Sequence, residues 1–258
     1  MSGRLSDDDA AALAANLMDH RSRLMTRSPI TDDIALSVED AYRIQSDVTA
    51  LRFARGERLA GWKLGYTSLA MRTQMGIGSA NFGPLTDAML LTDGATVGRD
   101  LIHPRVEPEI AIMFATDLDH PHSIDDVLAA ASGAYACLEV VDSVFADYRF
   151  RLEDNTADGS SAARVVLGPL LASLNDLDAV EVALVRNGVE IARAYGSAAS
   201  GHPVLGVIWL AEQLAATGRM IRCGDVVITG GLTAAVPLDP GDTVAATFGW
   251  DVTVTVYR

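Results

Sequence analysis

The first sixty residues alternate apolar and polar positions with the spacing of a helix. Apolar side chains recur at intervals near 3.6 residues over two segments, residues 7–25 and 38–56. Ser6 and Ser37 precede these segments, and each is followed by an aspartate three positions later, which is the pattern of an N-terminal capping box. The pattern therefore predicts two helices.

From Leu59 onward the pattern changes to short runs rich in β-branched residues, separated by Gly, Pro and Asp. Such runs are typical of β-strands. Asn187-Gly188 stands between two alternating runs and predicts a hairpin, and Asp239–Asp242 (DPGD) predicts a tight turn. Two further segments with helical spacing interrupt the strands, near residues 124–131 and 204–217.

These elements predict an α+β fold. We expect an N-terminal helical segment over residues 1–58 and a β-rich domain over residues 59–258. The chain has no internal repeat, low-complexity tract or long linker. A second independent domain would therefore have to be the N-terminal helical segment.

Composition narrows the class of protein. Apolar residues make up 49% and charged residues 21% of the 258 residues, which is typical of a globular protein and excludes a disordered one. Lys plus Arg number 20 and Asp plus Glu 34, so the net charge of −14 opposes binding to nucleic acid or an anionic membrane. The chain has no apolar run near the roughly 18 residues of a membrane span. Its N-terminus does not resemble a signal peptide, and we expect a cytoplasmic protein.

The single lysine is the first candidate for chemistry. The chain contains nineteen arginines and one lysine, Lys63, which lies in the apolar, glycine-bounded segment Leu59–Tyr66. Arg does not deprotonate in practice, whereas the pKa of Lys moves on burial, so the two are not interchangeable where protons are handled. A solvated lysine is unusual in such a segment. The alternative is a surface lysine left by chance under a coding bias towards Arg.

Two glutamates lie two positions apart in an otherwise apolar run, Arg105–Ile112 (RVEPEIAI). In a strand, Glu107 and Glu109 point to the same side. Like charges on a half-buried face raise each other's pKa unless a cation lies between them, and Mg²⁺ or Mn²⁺ would remove the repulsion. The alternative is an exposed edge strand with an acidic face, which Pro108 would permit.

A third carboxylate favours the metal-site hypothesis. Glu139 lies in Ala136–Asp142 (ACLEVVD), an apolar run that predicts a buried strand, and a buried Glu needs a partner. Three carboxylates from two strands would hold an ion and leave positions open for water or substrate. Asp142 falls on the opposite face, and we expect it to be a strand-end or hydrogen-bonding group.

Two loops of small residues are suited to contact with an anion. They are Asp158–Ser161 (DGSS) and Thr229–Thr233 (TGGLT), which follows the predicted strand Val226–Ile228. Gly lets the backbone approach a ligand closely, and Ser or Thr hydroxyls can complete the contacts with a carboxylate. Each loop taken alone is also typical of a plain turn. The five histidines indicate no obvious site.

Together these segments resemble a known family, in the same order along nearly the whole chain from about residue 35. The matching segments are Gly61–Ser68 (GWKLGYTS), Met75-Gly76, Phe82-Gly83, Leu101–Glu109 (LIHPRVEPE), Leu138–Ser143 (LEVVDS), Ala157-Asp158, Gly201-His202-Pro203 and Thr229–Asp242 (TGGLTAAVPLDPGD). They resemble the 4-oxalocrotonate decarboxylase and 2-oxopent-4-enoate hydratase group of the fumarylacetoacetate hydrolase superfamily. The resemblance implies a mixed β-sheet roll with few flanking helices.

The resemblance also implies roles for individual residues. Glu107, Glu109 and Glu139 would hold Mg²⁺ or Mn²⁺. Lys63 would be an active-site lysine in a lid segment. The expected substrate-binding residues, of which the last two would bind a carboxylate through backbone and hydroxyl, are Asn81, Asp158, Ser160, Ser161, Gly231 and Thr233.

Sequence details favour a decarboxylase over a hydratase. The strings Gln74-Met75-Gly76, Tyr148-Arg149-Phe150 and Thr229–Pro237 resemble the decarboxylases. Hydratases usually have Asp immediately before Phe-Gly, where this chain has Asn81. Asn cannot act as a base, so the activation of water is harder to assign.

Two positions depart from the family pattern. Gly159 stands where the family motif Ala-Asp-Asn-x-Ser has Asn, and Tyr66 stands where Leu or Ile is usual. These departures leave open a relative that acts on another 2-oxo acid or that has lost activity.

The expected reaction is the metal-dependent decarboxylation of a 2-oxo-3-enedioate to a 2-hydroxydienoate through a metal-stabilised dienolate. Negative charge develops on the 2-oxo oxygen, where the ion acts as a Lewis acid. Lys63 would hold the distal carboxylate or manage a proton at the far carbon. The alternatives are a hydratase acting on 2-hydroxypenta-2,4-dienoate and a non-catalytic partner subunit. We expect a homo-oligomer, and a complex with a pathway hydratase would fit this group.

Overall fold

The structure, a computed structural model, describes residues 4–68, 72–73, 76–121, 123–249 and 251–258. Gln74 and Met75 of the motif at residues 74–76 lie outside the described residues. Among the described residues, α-helices cover α1 (Asp7–Ser22), α2 (Val38–Ala54), α3 (Ile124–Ala130), α4 (Leu152–Ala157) and α5 (Pro203–Ala215). Short 3-10 helices cover Ile30–Asp32, Asp87–Met89, Ala146–Tyr148 and Gly196–Ala198.

Four of these α-helices confirm the sequence pattern. The predicted segments correspond to α1, α2, α3 and α5, with ends that differ by at most three residues. The hydroxyls of Ser6 and Ser37 accept hydrogen bonds from the backbone N–H groups three residues on, as capping serines do. α4 was not predicted, because six residues are too few for a helical period to emerge.

The two N-terminal helices pack against the body of the protein. Ala10, Ala14 and Leu17 lie on one face of α1 and are buried. They join a hydrophobic cluster with residues of α2 and with Val144 and Phe145, which follow the strand that carries Glu139. The division of the chain at residue 58 stays a prediction.

The strands are β1 (Leu59–Gly65), β2 (Asn81–Thr86), β3 (Leu90–Thr92), β4 (Ala95–Thr96), β5 (Arg105–Phe114), β6 (Ala131–Val141), β7 (Ala162–Leu170), β8 (Glu181–Arg186), β9 (Val189–Tyr195), β10 (Val226–Ile228), β11 (Val236–Pro237), β12 (Thr243–Phe248) and β13 (Val252–Tyr257). Within the described ranges they form two sheets. One has the order β2-β1-β10-β5-β6-β7-β3, with β11 also paired to β5, and the other has the order β4-β13-β12-β8-β9. Mixed sheets with few helices make the fold α+β, as the sequence predicts.

The main hydrophobic core lies between the two sheets. Ile110 on β5 and Leu138 on β6 share one buried cluster with Leu184 on β8, Val254 on β13 and Leu210 on α5. The Asn187-Gly188 hairpin joins β8 to β9, and both of its residues have positive φ, as a type I′ turn requires. The turn predicted at Asp239–Asp242 is closed by a hydrogen bond from the Asp242 N–H to the Asp239 carbonyl.

The opposite face of the larger sheet carries the polar side chains of the site. Directly paired residues of neighbouring strands point to the same face. Lys63 on β1 pairs with Ile228 on β10, which pairs with Ala111 on β5, so the lysine shares a face with Glu107 and Glu109. None of the helices in the described part of the chain has the length and hydrophobicity that a membrane span requires.

Candidate active site

Three glutamates meet because of strand parity and register. Glu107 and Glu109 lie two residues apart on β5, and antiparallel β6 places Glu139 directly opposite Glu107. One carboxylate oxygen from each of the three lies within 4.8 Å of the other two. Since β5 runs between β10 and β6, the alternative of an exposed edge strand is wrong.

Burial makes the charges of this cluster costly. Glu109 and Glu139 are fully buried, and Glu107 is half-buried. Removal from water and repulsion by Glu139 raise the pKa of Glu107 to about 8. Burial, with repulsion by Glu139 and Glu107, raises the pKa of Glu109 well above its usual range. Three ionised carboxylates are therefore unstable together unless a cation joins them.

Lys63 supplies one such cation. It is only 3% exposed, so the alternative of a surface lysine is wrong. Its Nζ lies 2.8 Å from Oε2 of Glu139 and donates to the carbonyl oxygen of Ser160 at 3.0 Å. Burial alone would lower the pKa of Lys63, but attraction to the three glutamates outweighs burial and raises it. The lysine is therefore charged at neutral pH.

Three buried oxygens of the cluster have no hydrogen-bond partner within the described ranges, namely Oε1 of Glu109 and both oxygens of Glu139. Of these, Oε2 of Glu139 is ion-paired with Lys63, which leaves the two Oε1 atoms without a polar partner among the described residues. The second oxygen of Glu109 accepts from the backbone N–H of Gly230 at 2.7 Å. Buried oxygens without a partner are costly, and carboxylate oxygens are the ligands that hard divalent cations prefer.

The cluster fits a divalent cation in charge as well as in chemistry. With Lys63 protonated and the three glutamates ionised, its net charge is +1 − 3 = −2, which one divalent ion balances. An all-oxygen donor set with positions left for water or substrate suits Mg²⁺ or Mn²⁺. Glu107, Glu109 and Glu139 are the residues that would hold the ion.

Gly231 leaves the space that the Glu107 carboxylate occupies. A Cβ atom at position 231 would lie 2.2 Å from Oε2 of Glu107, so any side chain would displace that carboxylate. Gly230, the residue before Gly231, has a φ of +103°, which glycine adopts readily. In this conformation the Gly230 N–H donates a hydrogen bond to Oε2 of Glu109. The loop Thr229–Thr233 therefore shapes the cluster as well as turning the chain.

A cavity of about 320 Å³ opens beside the cluster. Five of the residues predicted for the site line it: Lys63, Glu107, Ser160, Ser161 and Gly231. The structure thus gathers the lysine, one of the three glutamates and parts of both small-residue loops around one space.

Asn81 lies behind this cavity rather than in its wall. Its Oδ1 accepts from the Ser160 hydroxyl at 3.0 Å, and its Nδ2 donates to Oδ1 of Asn155 at 2.9 Å. Ser160 and Asn155 both line the cavity. Asn81 is therefore placed to position two lining residues, and it is fully engaged in hydrogen bonds.

The structure does not bring Asp158 or Thr233 into the cavity lining. Asp158 is buried, and its Oδ1 lies 2.7 Å from the guanidinium of Arg21. The Thr233 hydroxyl donates to the neighbouring backbone carbonyl at 3.2 Å. Asp142 accepts hydrogen bonds from the backbone N–H groups of Ile102 and His103, which confirms the hydrogen-bonding role predicted for it.

Sequence reasoning missed several lining residues, notably Arg105, Tyr148 and Asn155. Arg105 could have been found, since it lies two positions before Glu107 and shares its face of β5. Tyr148 and Asn155 belong to the segment after β6, where no period predicts which side chains turn inward.

Backbone strain is concentrated at this cavity. Tyr66, Tyr148, Ser160 and Ser161 have φ values between +55° and +57°, and all four line the cavity. Such conformations cost residues with side chains of order 1 kcal/mol or more each, and they cluster at functional sites. The strain therefore supports the cavity as the functional part of the molecule.

The α+β fold and the group of three glutamates and a lysine beside one cavity are features by which the chain can be assigned to a protein family. Comparison with known proteins identifies that family. No family model matches the chain. The chain is 40% identical over 225 residues to 2-hydroxyhexa-2,4-dienoate hydratase from Comamonas testosteroni, covering 84% of this chain and 85% of the relative. It is 34% identical over 253 residues to 4-oxalocrotonate decarboxylase from Pseudomonas sp. strain CF600, covering 96% of both chains.

Comparison with solved structures points to the same family as the sequence relatives. That of 4-oxalocrotonate decarboxylase from Pseudomonas putida G7, complexed with magnesium and adipate, has a TM-score of 0.92 and 32% identity, covering 98% of both chains. Fumarylpyruvate hydrolase from Pseudomonas aeruginosa, in complex with Mn²⁺ and pyruvate, has a TM-score of 0.59 and 12% identity, covering 77% of this chain and 88% of that chain, so it shares the fold alone.

The fold is that of the fumarylacetoacetate hydrolase superfamily. The chain belongs to its 4-oxalocrotonate decarboxylase and 2-keto-4-pentenoate hydratase group, which confirms the resemblance described above. The named relatives of this group are enzymes, and both activities occur among them.

Proposed function

We propose that the protein is a divalent-metal-dependent decarboxylase that converts a 2-oxo-3-enedioate similar to 4-oxalocrotonate into a 2-hydroxydienoate. Two relatives named 4-oxalocrotonate decarboxylase align with nearly the whole chain. The one with a solved structure was complexed with magnesium and a dicarboxylate, adipate. We take Mg²⁺ as the first ion to test, with Mn²⁺ as the second.

One observation favours decarboxylation over hydration. In the described part of the chain, Glu107 is the only carboxylate that lines the cavity, and no histidine lines it. Glu107 belongs to the cluster that would hold the ion, and the Asn81 amide cannot accept a proton from water. Hydration needs a general base for the attacking water, whereas decarboxylation needs none. The lining therefore supports the decarboxylase.

The reaction needs a place for the electrons of the bond that breaks. The C5–C6 bond gives its electron pair to a new C4=C5 double bond as carbon dioxide leaves, and conjugation carries the negative charge to the 2-oxo oxygen. When bound, the divalent ion supplies a Lewis acid for that charge. Lys63, held by Glu139 and by the Ser160 carbonyl, keeps a buried positive charge beside the cluster and can return a proton to the oxygen.

Product analysis tests this proposal. The protein is incubated with 4-oxalocrotonate in the presence of Mg²⁺ or of a chelator, while carbon dioxide and 2-hydroxypenta-2,4-dienoate are measured. We expect equal amounts of both products with Mg²⁺ and almost none with the chelator. Absence of carbon dioxide release under both conditions would exclude the decarboxylase.

A hydratase is the second candidate, because the 40% identical relative carries a hydratase name. The same assay identifies it when 2-hydroxypenta-2,4-dienoate is the substrate. Loss of the diene absorbance without gas release would favour the hydratase, and an unchanged diene spectrum would favour the decarboxylase.

A further inference from the structure

Arg105 is a cationic residue that lines the cavity and has no role in the reaction proposed above. It begins β5 two residues before Glu107, so its side chain leaves the same face of the sheet at a spacing of about 6.6 Å along the strand. It lines the cavity, as does Val141, its partner on β6. The arginine therefore lies beyond the glutamate cluster, along the length of the cavity.

Tyr148 holds the Arg105 guanidinium in place. The Arg105 Cζ lies 4.3 Å from the centroid of the Tyr148 ring, which is the geometry of a cation–π contact. The Tyr148 hydroxyl donates to the carbonyl oxygens of Val141 and His103 at 3.0 and 3.2 Å, and its ring stacks on His103. The guanidinium thus rests on a fixed aromatic platform.

Two cationic side chains among the described residues line the cavity, Lys63 and Arg105, and only Arg105 has no ion-pair partner. Lys63 is paired with Glu139, whereas no carboxylate lies within 4.0 Å of the Arg105 guanidinium in the part of the chain that the structure describes. Arg presents a planar fork of donors that matches a carboxylate. A carboxylate on the substrate is the partner that this charge and geometry fit.

We propose that Arg105 binds the distal carboxylate of the substrate and so makes the site selective for dicarboxylic 2-oxo acids over monocarboxylic ones. This inference rests on the proposed function, in which the 2-oxo end of the substrate lies at the glutamate cluster. In this arrangement Lys63 returns the proton to the 2-oxo oxygen at the cluster end of the substrate, and Arg105 recognises the carboxylate at the other end.

Binding of two inert 2-oxo acids of equal length tests the inference. 2-Oxoadipate carries a distal carboxylate and 2-oxohexanoate does not. Calorimetric titration of the Mg²⁺-loaded protein should give an affinity for 2-oxoadipate about tenfold or more above that for 2-oxohexanoate, which is the range of one charged hydrogen-bonded contact. Arg105→Gln should bring the two affinities within about twofold and leave 2-oxohexanoate binding unchanged.

Two further variants secure the test. Arg105→Met keeps the aliphatic stem on Tyr148 and replaces the Gln variant if that variant does not fold. Arg164→Gln removes another half-buried arginine of the same sheet, one that pairs with Asp100 outside the cavity, and should keep the wild-type preference. In turnover of 4-oxalocrotonate, Arg105→Gln should raise KM about tenfold or more without lowering kcat, because a contact to a carboxylate that loses its charge in the transition state stabilises the bound substrate more than the transition state.

The outcomes separate this inference from the proposed function. A wild-type preference for 2-oxoadipate that survives in Arg105→Gln overturns the role of Arg105 and leaves the decarboxylase standing. Equal binding of both acids by the wild-type protein overturns the dicarboxylate substrate, and the role of Arg105 with it.

Discussion

At the scale of single residues, the site is built from groups that a fold selected for stability alone would avoid. Glu109 and Glu139 are fully buried carboxylates, and each has an oxygen without a hydrogen-bond partner in the described part of the chain. Leaving such groups unsatisfied costs about 1–3 kcal/mol each, more when they are charged. When all three glutamates are ionised, Lys63 offsets only one of their three negative charges. These residues are explained by the ligand that they would bind.

Gly231→Ala should weaken metal binding without unfolding the protein. The new Cβ would lie 2.2 Å from Oε2 of Glu107, so the carboxylate has to move. We expect a loss of about 10- to 100-fold in metal affinity, the range found when residues that orient metal ligands are changed. Calorimetric titration with Mn²⁺ measures this. Gly78→Ala is the matched control, because a Cβ there meets open space. Equal affinity in the two variants would contradict the position assigned to Glu107.

Lys63→Arg should keep a positive charge and lose most turnover. The Lys63 ammonium contacts both Glu139 and the Ser160 carbonyl within 3.0 Å in a buried position, where a longer, forked guanidinium cannot make the same contacts. We expect kcat to fall by about 100-fold or more, measured with saturating Mg²⁺. Metal titration of the same variant provides the control. Near-normal kcat would remove Lys63 from the catalytic residues.

Residue types and spacing were enough to select the cluster from the sequence. Glu107 and Glu109 were readable from the two-residue period of a strand, and Lys63 from its apolar surroundings. Asp158 shows the limit of this reasoning. A small-residue loop predicts closeness to a ligand, but the loop does not reveal that the carboxylate turns to Arg21 on another element.

At the scale of elements, the register of β5 against β6 builds the site. It sets Glu139 opposite Glu107, and a slip by one residue would turn Glu139 to the other face. The hairpin at Asn187-Gly188 and four helices were predictable because their determinants are local. The pairing of β5 with β6 was not, since period-two alternation is the same for every register and partner.

The buried ion pair between Arg21 on α1 and Asp158 in the loop before β7 should contribute strongly to the stability of the fold. The Arg21 side chain is 14% exposed and the Asp158 side chain 3%, so Arg21→Ala leaves a buried carboxylate without its partner. We expect a loss of about 3–5 kcal/mol in the free energy of unfolding, measured by urea denaturation. Arg23→Ala is the control.

Arg23 lies on the same end of α1, but its side chain is 63% exposed and pairs with an exposed Asp19. Its removal should change stability by less than about 1 kcal/mol. A similar small change for Arg21→Ala would mean that the N-terminal helices are not anchored through this pair.

At the scale of the whole molecule, the acidic cluster couples stability to pH and to metal. The pKa of Glu107 is raised from 4.5 to about 8 in the folded chain. Between these values the folded state binds more protons than the unfolded state, so the free energy of unfolding falls as pH rises. The stabilisation is present below 4.5 and is lost as the pH rises through about 8.

A divalent ion should oppose this loss, because it binds the ionised cluster. Mg²⁺ should therefore raise the thermal midpoint of the chelator-treated protein more at about pH 8 than at about pH 5.5. Thermal unfolding at the two pH values measures this, and Glu107→Gln should reduce the difference. An equal gain at both values would contradict the coupling.

The most direct test of the account is a calorimetric titration of the metal-free protein with Mn²⁺. Glu107, Glu109 and Glu139 should bind one ion per chain in the wild-type protein. Glu109→Gln keeps the shape of a fully buried ligand and removes its charge, and it should weaken binding by about 100-fold or more. Binding of the ion with unchanged affinity in Glu109→Gln would show that the cluster is not the metal site.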